Sequence, residues 1–252
     1  MDRDRGESPV TRAPIPDLAP GERRLEGALA HYLGRVLRLQ AGDAFVAFDP
    51  ATAREADAVT VWTDHDAVTV RFGPLREATA RPTRDITFVQ GLAKGDKCDA
   101  VVRDATELGA TRIVVATTRR SVVKLDAARA QERQARWARI AQEAARQCGR
   151  SDAPLVDSPC PWVDALASVP GDASRFCLWE RATDPLAPPL FEALTRGAPL
   201  AFACGPEGGL EDREVDEARA RGWLIVSLGP LALRTETVAA AVLGAVRVWS
   251  GL

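Results

Sequence analysis

The chain has 252 residues, 46% of them hydrophobic and 27% charged, with a net charge of −2, the profile of a soluble globular protein of one large or two smaller domains. No apolar run approaches the roughly 18 residues needed to span a bilayer, and the N-terminal MDRDRGESPV is not a signal peptide, so the expected location is cytoplasmic, with no membrane partner. Five scattered cysteines without a C-x-x-C pair, and only two histidines (His31 and His65), point to reduced thiols, no metal site and little material for a histidine-based triad.

In chain order, EGALAHYLGRVLRL (26–39) carries the first helical periodicity, with Leu29, Leu33, Val36 and Leu37 on one face. After the turn residues AGD come AFVAFD, ADAVTVW and AVTVRF. These are short and rich in β-branched or aromatic residues, and they read as strands of a small β-rich unit over 1–76. GPLREATARPTR (73–84), with a glycine, two prolines and several charges, reads as a linker. A second domain then occupies 82–252.

From Asp85 the rhythm changes. ITFVQGL (86–92) predicts a strand, and KGDKCDAVVRDATELG predicts a helix. In that helix Cys98, Val101, Val102, Ala105 and Leu108 recur at helical spacing, and Gly109 supplies the C-cap. RIVVATT (112–118) is the next strand, followed by the loop RRSVVK and a long polar helix over 126–149. Strand 175–180, helix PLFEALTRG, strand 199–204, helix EDREVDEARARG, strand 223–229 and helix TETVAAAVLGAVRVW complete the chain. Strands that read as continuous apolar runs between helices imply an α/β fold whose parallel sheet is covered on both faces.

Ligands of open α/β sheets bind beyond the carboxyl ends of the strands. Three loops fall there: LWERATD, CGPEGGLED and LGPLALRTET. None is a phosphate cradle, because neither G-x-x-x-x-G-K-[ST] nor G-x-G-x-x-G is present. Glu207, with no lysine near it in sequence, would repel a phosphate. A neutral or cationic ligand held by the exposed backbone of the glycines fits better, and S-adenosylmethionine, with its sulfonium and ammonium charges, is such a ligand. The plainer readings stay open: GPEGG as a tight turn before an acidic helix start, and Thr235 as a helix N-cap.

GPEGGLEDREVDEA together with SLGPLALRTETVAAAVL resembles the C-terminal signature of the knotted SPOUT methyltransferases, and within them the ribosomal RNA small subunit methyltransferase E family. HYLGRVLRLQAGD, KGDKCDAVVRDATELGATRIVVATTRRSVVK and RWARIAQEAARQCGR match in the expected order, so the resemblance covers nearly the whole chain. It implies an N-terminal PUA-like β-barrel, a C-terminal trefoil-knot domain, a homodimer, and methylation of N3 of a uridine in 16S rRNA of the small ribosomal subunit. It also implies that S-adenosylmethionine touches Leu178, Glu180, Gly205, Pro206, Glu207, Gly208 and Gly209, then Leu228, Gly229, Leu233, Arg234, Glu236 and Thr237. The segment VTRAPIPDLAPGERRLEG departs from the family's basic, aromatic opening, and Ala232 and Val238 depart from its last motif.

Removing the N3 proton of uridine requires a base or a cation that favours the anion. Glu236 is the candidate base, and Arg234 and Arg150 are the candidate cations. Net charge runs −3 over residues 1–80, +7 over 81–150 and −6 over 151–252, which suggests a polyanion surface in the middle of the chain. Lys94, Lys97, Arg119, Arg120, Lys124, Arg146 and Arg150, with Arg35 and Arg38, form the expected RNA-binding set. Arginine outnumbers lysine 30 to 3, a bias so uniform that it reads as codon composition. Two other readings fit the same residues: a related enzyme acting on tRNA or another rRNA position, and an RNA-binding module without catalysis.

Overall fold

The computed structural model describes residues 11–64, 66–122 and 125–250; His65 and Lys124 lie outside the described residues. The chain divides into two units, the first comprising 1–81 together with 145–153, the second 82–144 and 154–252.

In the first unit, strands β1 (Arg12–Pro14), β2 (Gly21–Glu26), β3 (Ala44–Asp49), β4 (Arg54–Thr63), β5 (Ala67–Phe72) and β6 (Arg76–Glu77) form one sheet. Its order is β1-β3-β4-β5-β2, with β6 on β4. Only β1 and β3 pair in parallel. Alternation fixes the core: Leu25, Phe45, Val68, Val70 and Phe72 point inward with Ile15 and Leu33. The stretch read as a linker therefore contributes β6 before the boundary. Residues 145–153 cluster with this unit because Ser151 N–H donates to Ala80 O (2.8 Å) and Ala153 N–H to Pro50 O (3.0 Å).

The predicted helix over 26–39 is real but changes winding. Helix α1 (Gly27–His31) runs into a π-helical turn, Tyr32–Val36, closed by Leu37 N–H to Tyr32 O at 2.9 Å. An i→i+5 turn shifts the side-chain phase. Leu33 is buried and Leu29 and Leu37 pack on the core, whereas Val36 is 58% exposed, so Val36 does not share their face.

Glu55 is the charged centre of this unit. Its buried carboxylate accepts hydrogen bonds from Arg12 (2.8 Å), Arg76 (3.1 Å) and the backbone and hydroxyl of Thr79 (3.3 and 3.2 Å). Burial pushes its pKa up, but the bonds from Arg12, Thr79 and Arg76 outweigh burial and hold it below the ordinary 4.5. A carboxylate lowered by folding stabilises fully above its unfolded pKa, and loses that contribution as pH falls through the folded value. Glu55→Gln is therefore expected to lower the thermal midpoint at pH 7 and to flatten its fall below about pH 4.5. Calorimetry of both proteins between pH 7 and 3 checks this. The cost at pH 7 is roughly 2 kcal/mol, below that of a fully buried pair because both arginines reach solvent.

In the second unit the strands are β7 (Ile86–Gly91), β8 (Arg112–Thr117), β9 (Leu155–Val156), β10 (Cys160–Pro161), β11 (Ser174–Leu178), β12 (Leu200–Cys204) and β13 (Leu224–Val226). They form a parallel sheet in the order β10-β8-β7-β12-β11-β13, with β9 on β8. Helices α2 (Lys97–Glu107), α3 (Ala127–Cys148), α5 (Ala187–Thr195) and α7 (Thr235–Ser250) cover one face. Helices α4 (Trp162–Ala167) and α6 (Asp212–Ala220) cover the other. Ile86 and Phe88 enter the first layer while Val89 enters the second, which is why this strand reads as an unbroken apolar run. The edge strands β9 and β10 and the short α4 had no periodicity to announce them.

Strand order places the site. The late strand β12 inserts between β7 and β11, so connections leave the neighbouring strands β7 and β12 in different directions. Such a reversal opens a crevice beyond their carboxyl ends.

Candidate functional site

The three loops singled out in the sequence converge at those ends around a cavity of about 660 Å³. Its wall includes Leu178 at the end of β11 and Glu180 just after it, Gly205 to Gly209 after β12, Leu228, Gly229, Leu233 and Arg234 between β13 and α7, and Glu236 in the first turn of α7. Thr237 is exposed and stands off this wall. Trp179, Cys204, Ser227, Pro230, Leu231, Ala232, Thr235 and Val238 also line the cavity. Their neighbours were recognisable in sequence, but which side chains turn inward was not.

The glycines leave room for what packs against them, backbone at Gly205 and side chains at Gly208 and Gly209. A Cβ on Gly205 would lie 2.8 Å from Gly209 C, and one on Gly209, which has φ +70°, would meet Glu180 Oε1 at 2.6 Å. Gly91, at the end of β7, is tighter still: its Cβ would sit 2.5 Å from Pro206 N. At Gly205 and Gly91 the atoms met are backbone or a proline ring, which do not yield without backbone movement, whereas at Gly209 the Glu180 carboxylate can swing aside and the positive φ is the stronger reason for glycine.

Glu207 has a lysine after all, supplied by α2. Lys97 Nζ lies 3.0 Å from Glu207 Oε1, and the same oxygen accepts the Lys94 N–H at 3.0 Å. Burial raises the Glu207 pKa, but its own backbone N–H, Lys97 and Lys94 together bring it below the ordinary carboxylate value. The carboxylate thus braces the glycine loop against the start of α2. Arg120 holds the same loop from another side, donating to Gly208 O at 2.7 Å.

Thr235 is not an N-cap. It is the first residue of α7, buried, and its hydroxyl donates to Gly205 O at 2.8 Å. Glu214, buried in α6, accepts the N–H groups of Arg119 (2.8 Å) and Glu211 (2.9 Å), fixing the loop after β8.

Two wall residues carry buried polar atoms without a hydrogen-bond partner in the structure: Trp179 Nε1, a donor, and Glu236 Oε2, an acceptor. Buried polar groups are satisfied in the great majority of cases; of the unpartnered buried atoms among the described residues, these two are the ones on residues that line the cavity. Leu228 and Leu233, each about two-fifths exposed (38% and 41%), add apolar surface beside them.

The other sequence candidates are distributed differently. Arg35, Arg38, Lys94, Arg119 and Arg120 are exposed. Lys97 is half-buried on the cavity wall, and Arg146 lies in the last turn of α3. Arg150 needs correcting as a surface cation. Its side chain is buried and paired with Asp152, Nη2–Oδ2 2.9 Å, and it does not line the cavity. All five cysteines are free. Among the described residues no group of three or more His, Cys, Asp or Glu side chains is arranged for a metal, and no helix is long and apolar enough to cross a membrane.

The sequence pattern of the RNA methyltransferase domain matches residues 79–247, and that of an RNA methyltransferase PUA domain matches 25–58. With the cavity lying beyond the strand ends of a parallel α/β sheet, fold and sequence pattern together identify an RNA methyltransferase domain. Curated relatives narrow the class. The ribosomal RNA small subunit methyltransferase E of Bacillus subtilis is 34% identical over 60% of this chain and 61% of its own length. That of Synechocystis is 32% identical over 84% and 68%. The chain thus spans about three-fifths to two-thirds of the length of these relatives. Among solved structures, the Neisseria gonorrhoeae ribosomal RNA small subunit methyltransferase E bound to S-adenosylmethionine superposes with a TM-score of 0.75 at 25% identity, over 95% of this chain and 98% of that one. A Legionella pneumophila methyltransferase bound to the same cofactor gives 0.73 at 27%, over the same shares. The chain belongs to the ribosomal RNA small subunit methyltransferase E family.

Proposed function

We propose that the protein transfers a methyl group from S-adenosylmethionine to N3 of a uridine in 16S rRNA of the small ribosomal subunit. The observation that carries this reading is the cavity itself. Its wall combines exposed backbone at Gly205, Gly208 and Gly209, apolar surface at Leu228 and Leu233, and unpartnered polar atoms on Trp179 and Glu236. These features fit a cofactor with an apolar-faced purine, several hydrogen-bonding groups and positive charge. The bound cofactor supplies an electrophilic methyl on a sulfonium.

The protein's own part is positioning and proton management. In-line displacement gains most of its acceleration from alignment, which the braced loop 205–209 and the loop 228–234 provide from two sides. Glu236 Oε2, buried and unpartnered, accepts the proton of uridine N3. Arg234, exposed on the wall, stabilises the negative charge left on the ring carbonyls. The target base unstacks and enters the cavity. Backbone phosphates rest on Lys94, Arg119 and Arg120, contacts that position RNA without reading its sequence. Lys97 serves as the loop brace instead.

In this reading the first unit is a PUA-like β-barrel that presents Arg35 and Arg38 to RNA. The domain limits are 1–76 and 82–252, with residues 145–153 returning to the first. The segment containing the last two loops is tied as a trefoil knot, and two copies pair through apolar surface. Exposed Phe191, Leu231, Val248 and Trp249 support such pairing. In this reading the protein acts in the cytoplasm, alongside its ribosomal RNA substrate.

Calorimetric titration with S-adenosylmethionine tests the assignment: saturable binding is expected, and no heat at millimolar cofactor contradicts it. A second titration separates bracing from ligand contact at Glu207. An exposed ion pair contributes about 0–1 kcal/mol, so Glu207→Gln is expected to raise the dissociation constant about fivefold or less. A direct contact with the sulfonium would cost far more.

A further inference from the structure

We propose that Gln90 is a positioning residue for methyl transfer, keying the two cofactor loops to each other through Thr235. The inference rests on the reading of the cavity as the cofactor site. Gln90 is a fully buried amide near the end of β7, a strand buried along its whole length. Burying an amide is costly unless its hydrogen bonds are made. Here they are: Nε2 donates to Gly91 O (2.8 Å) and Thr235 Oγ1 (2.8 Å), with Gly205 O at 3.3 Å. Oε1 accepts the Cys204 thiol at 3.2 Å.

The amide has one possible orientation. Gly91 O and Gly205 O can only accept, so the nitrogen must face them. Cys204 is the register partner of Gln90 on the adjacent strand, and burial keeps its thiol protonated, so it serves as the donor to Oε1. Thr235 then accepts from Gln90 and donates its own O–H to Gly205 O at 2.8 Å. One chain of bonds therefore links the first residue of the glycine loop to the first residue of α7. Thr235 stands between Arg234 and Glu236, the two residues assigned to the proton and the developing charge. Gln90 touches no substrate in this scheme; it sets the register between the glycine loop and the Glu236 carboxylate.

Four variants test the idea: Thr235→Val, which keeps shape and loses the hydroxyl; Thr235→Ser, which restores it; Gln90→Met; and the double variant Gln90→Met/Thr235→Val. S-adenosylmethionine affinity, kcat and the KM for small-subunit RNA are measured for each. Thr235→Val and Gln90→Met are each expected to weaken cofactor binding about tenfold and to lower kcat, with the RNA KM unchanged. Thr235→Ser is expected to recover most of both losses, and the double variant to fall short of the product of the single effects. Wild-type affinity and kcat in Thr235→Val, no recovery with serine, or strictly multiplicative effects would each overturn the proposal. Should Gln90→Met not fold, the Val and Ser pair decides alone. A wild-type protein that binds no cofactor would instead refute the functional assignment, and this inference with it.

Discussion

Gly91→Ala is expected to raise the S-adenosylmethionine dissociation constant by roughly a hundredfold, through a residue that need not touch the ligand. The added methyl would lie 2.5 Å from Pro206 N, 2.6 Å from Pro206 Cδ and 2.7 Å from Gly205 C. These are backbone and ring atoms, so no side chain can swing aside. Strand β7 is hydrogen-bonded on both sides, to β8 and β12, which leaves the glycine loop as the part that must move. Overpacking of this kind costs about 1–3 kcal/mol, and each 1.4 kcal/mol charged to the bound state is tenfold in affinity. Titration of the variant, with circular dichroism to verify the sheet, checks the result. Wild-type affinity would mean that the loop shifts freely and does not set the cavity.

Glu236→Gln is expected to lower kcat by on the order of 10²- to 10³-fold, the range typical of a lost general base, while cofactor affinity changes only a few-fold. The amide preserves shape and hydrogen-bonding reach but does not take up the N3 proton. If Glu236 merely complements the N-terminus of α7, its loss would cost a few tenths to about 1 kcal/mol of stability and leave kcat unchanged. Single-turnover methylation at saturating cofactor separates the two outcomes.

These two residues differ in how visible they were. LRTET drew attention to Glu236 because it follows a strand end and opens a helix, where acidic residues gather for structural reasons too. That its Oε2 is buried without a partner on the cavity wall is visible only in the fold. Gly91 and Gln90 sit in ITFVQGL, which a short run of mostly apolar residues identifies as a strand and nothing more. Their importance comes from β12 lying alongside, a pairing that local sequence does not encode.

The same limit explains Glu207. Its charge looked anomalous because the neutralising Lys97 arrives from α2. Charge counting put Lys97 and Arg150 in one basic surface, but a count along the chain says nothing about burial. Lys97 braces a loop and Arg150 is buried against Asp152. In the first unit, 3.6-residue periodicity found the helix but could not register the π turn that rotates Val36 outward. The glycine loop was the most legible feature, since glycines clustered after a strand have few other physical reasons to be there.

The most direct test supplies purified protein with methyl-labelled S-adenosylmethionine and small ribosomal subunits that lack the modification, then digests the 16S rRNA and identifies the labelled nucleoside by mass spectrometry. The account predicts one labelled site, recovered as a uridine methylated at N3, and loss of that label with Glu236→Gln. Label on another base, on the ribose or on tRNA alone, or none at all with bound cofactor, would contradict it.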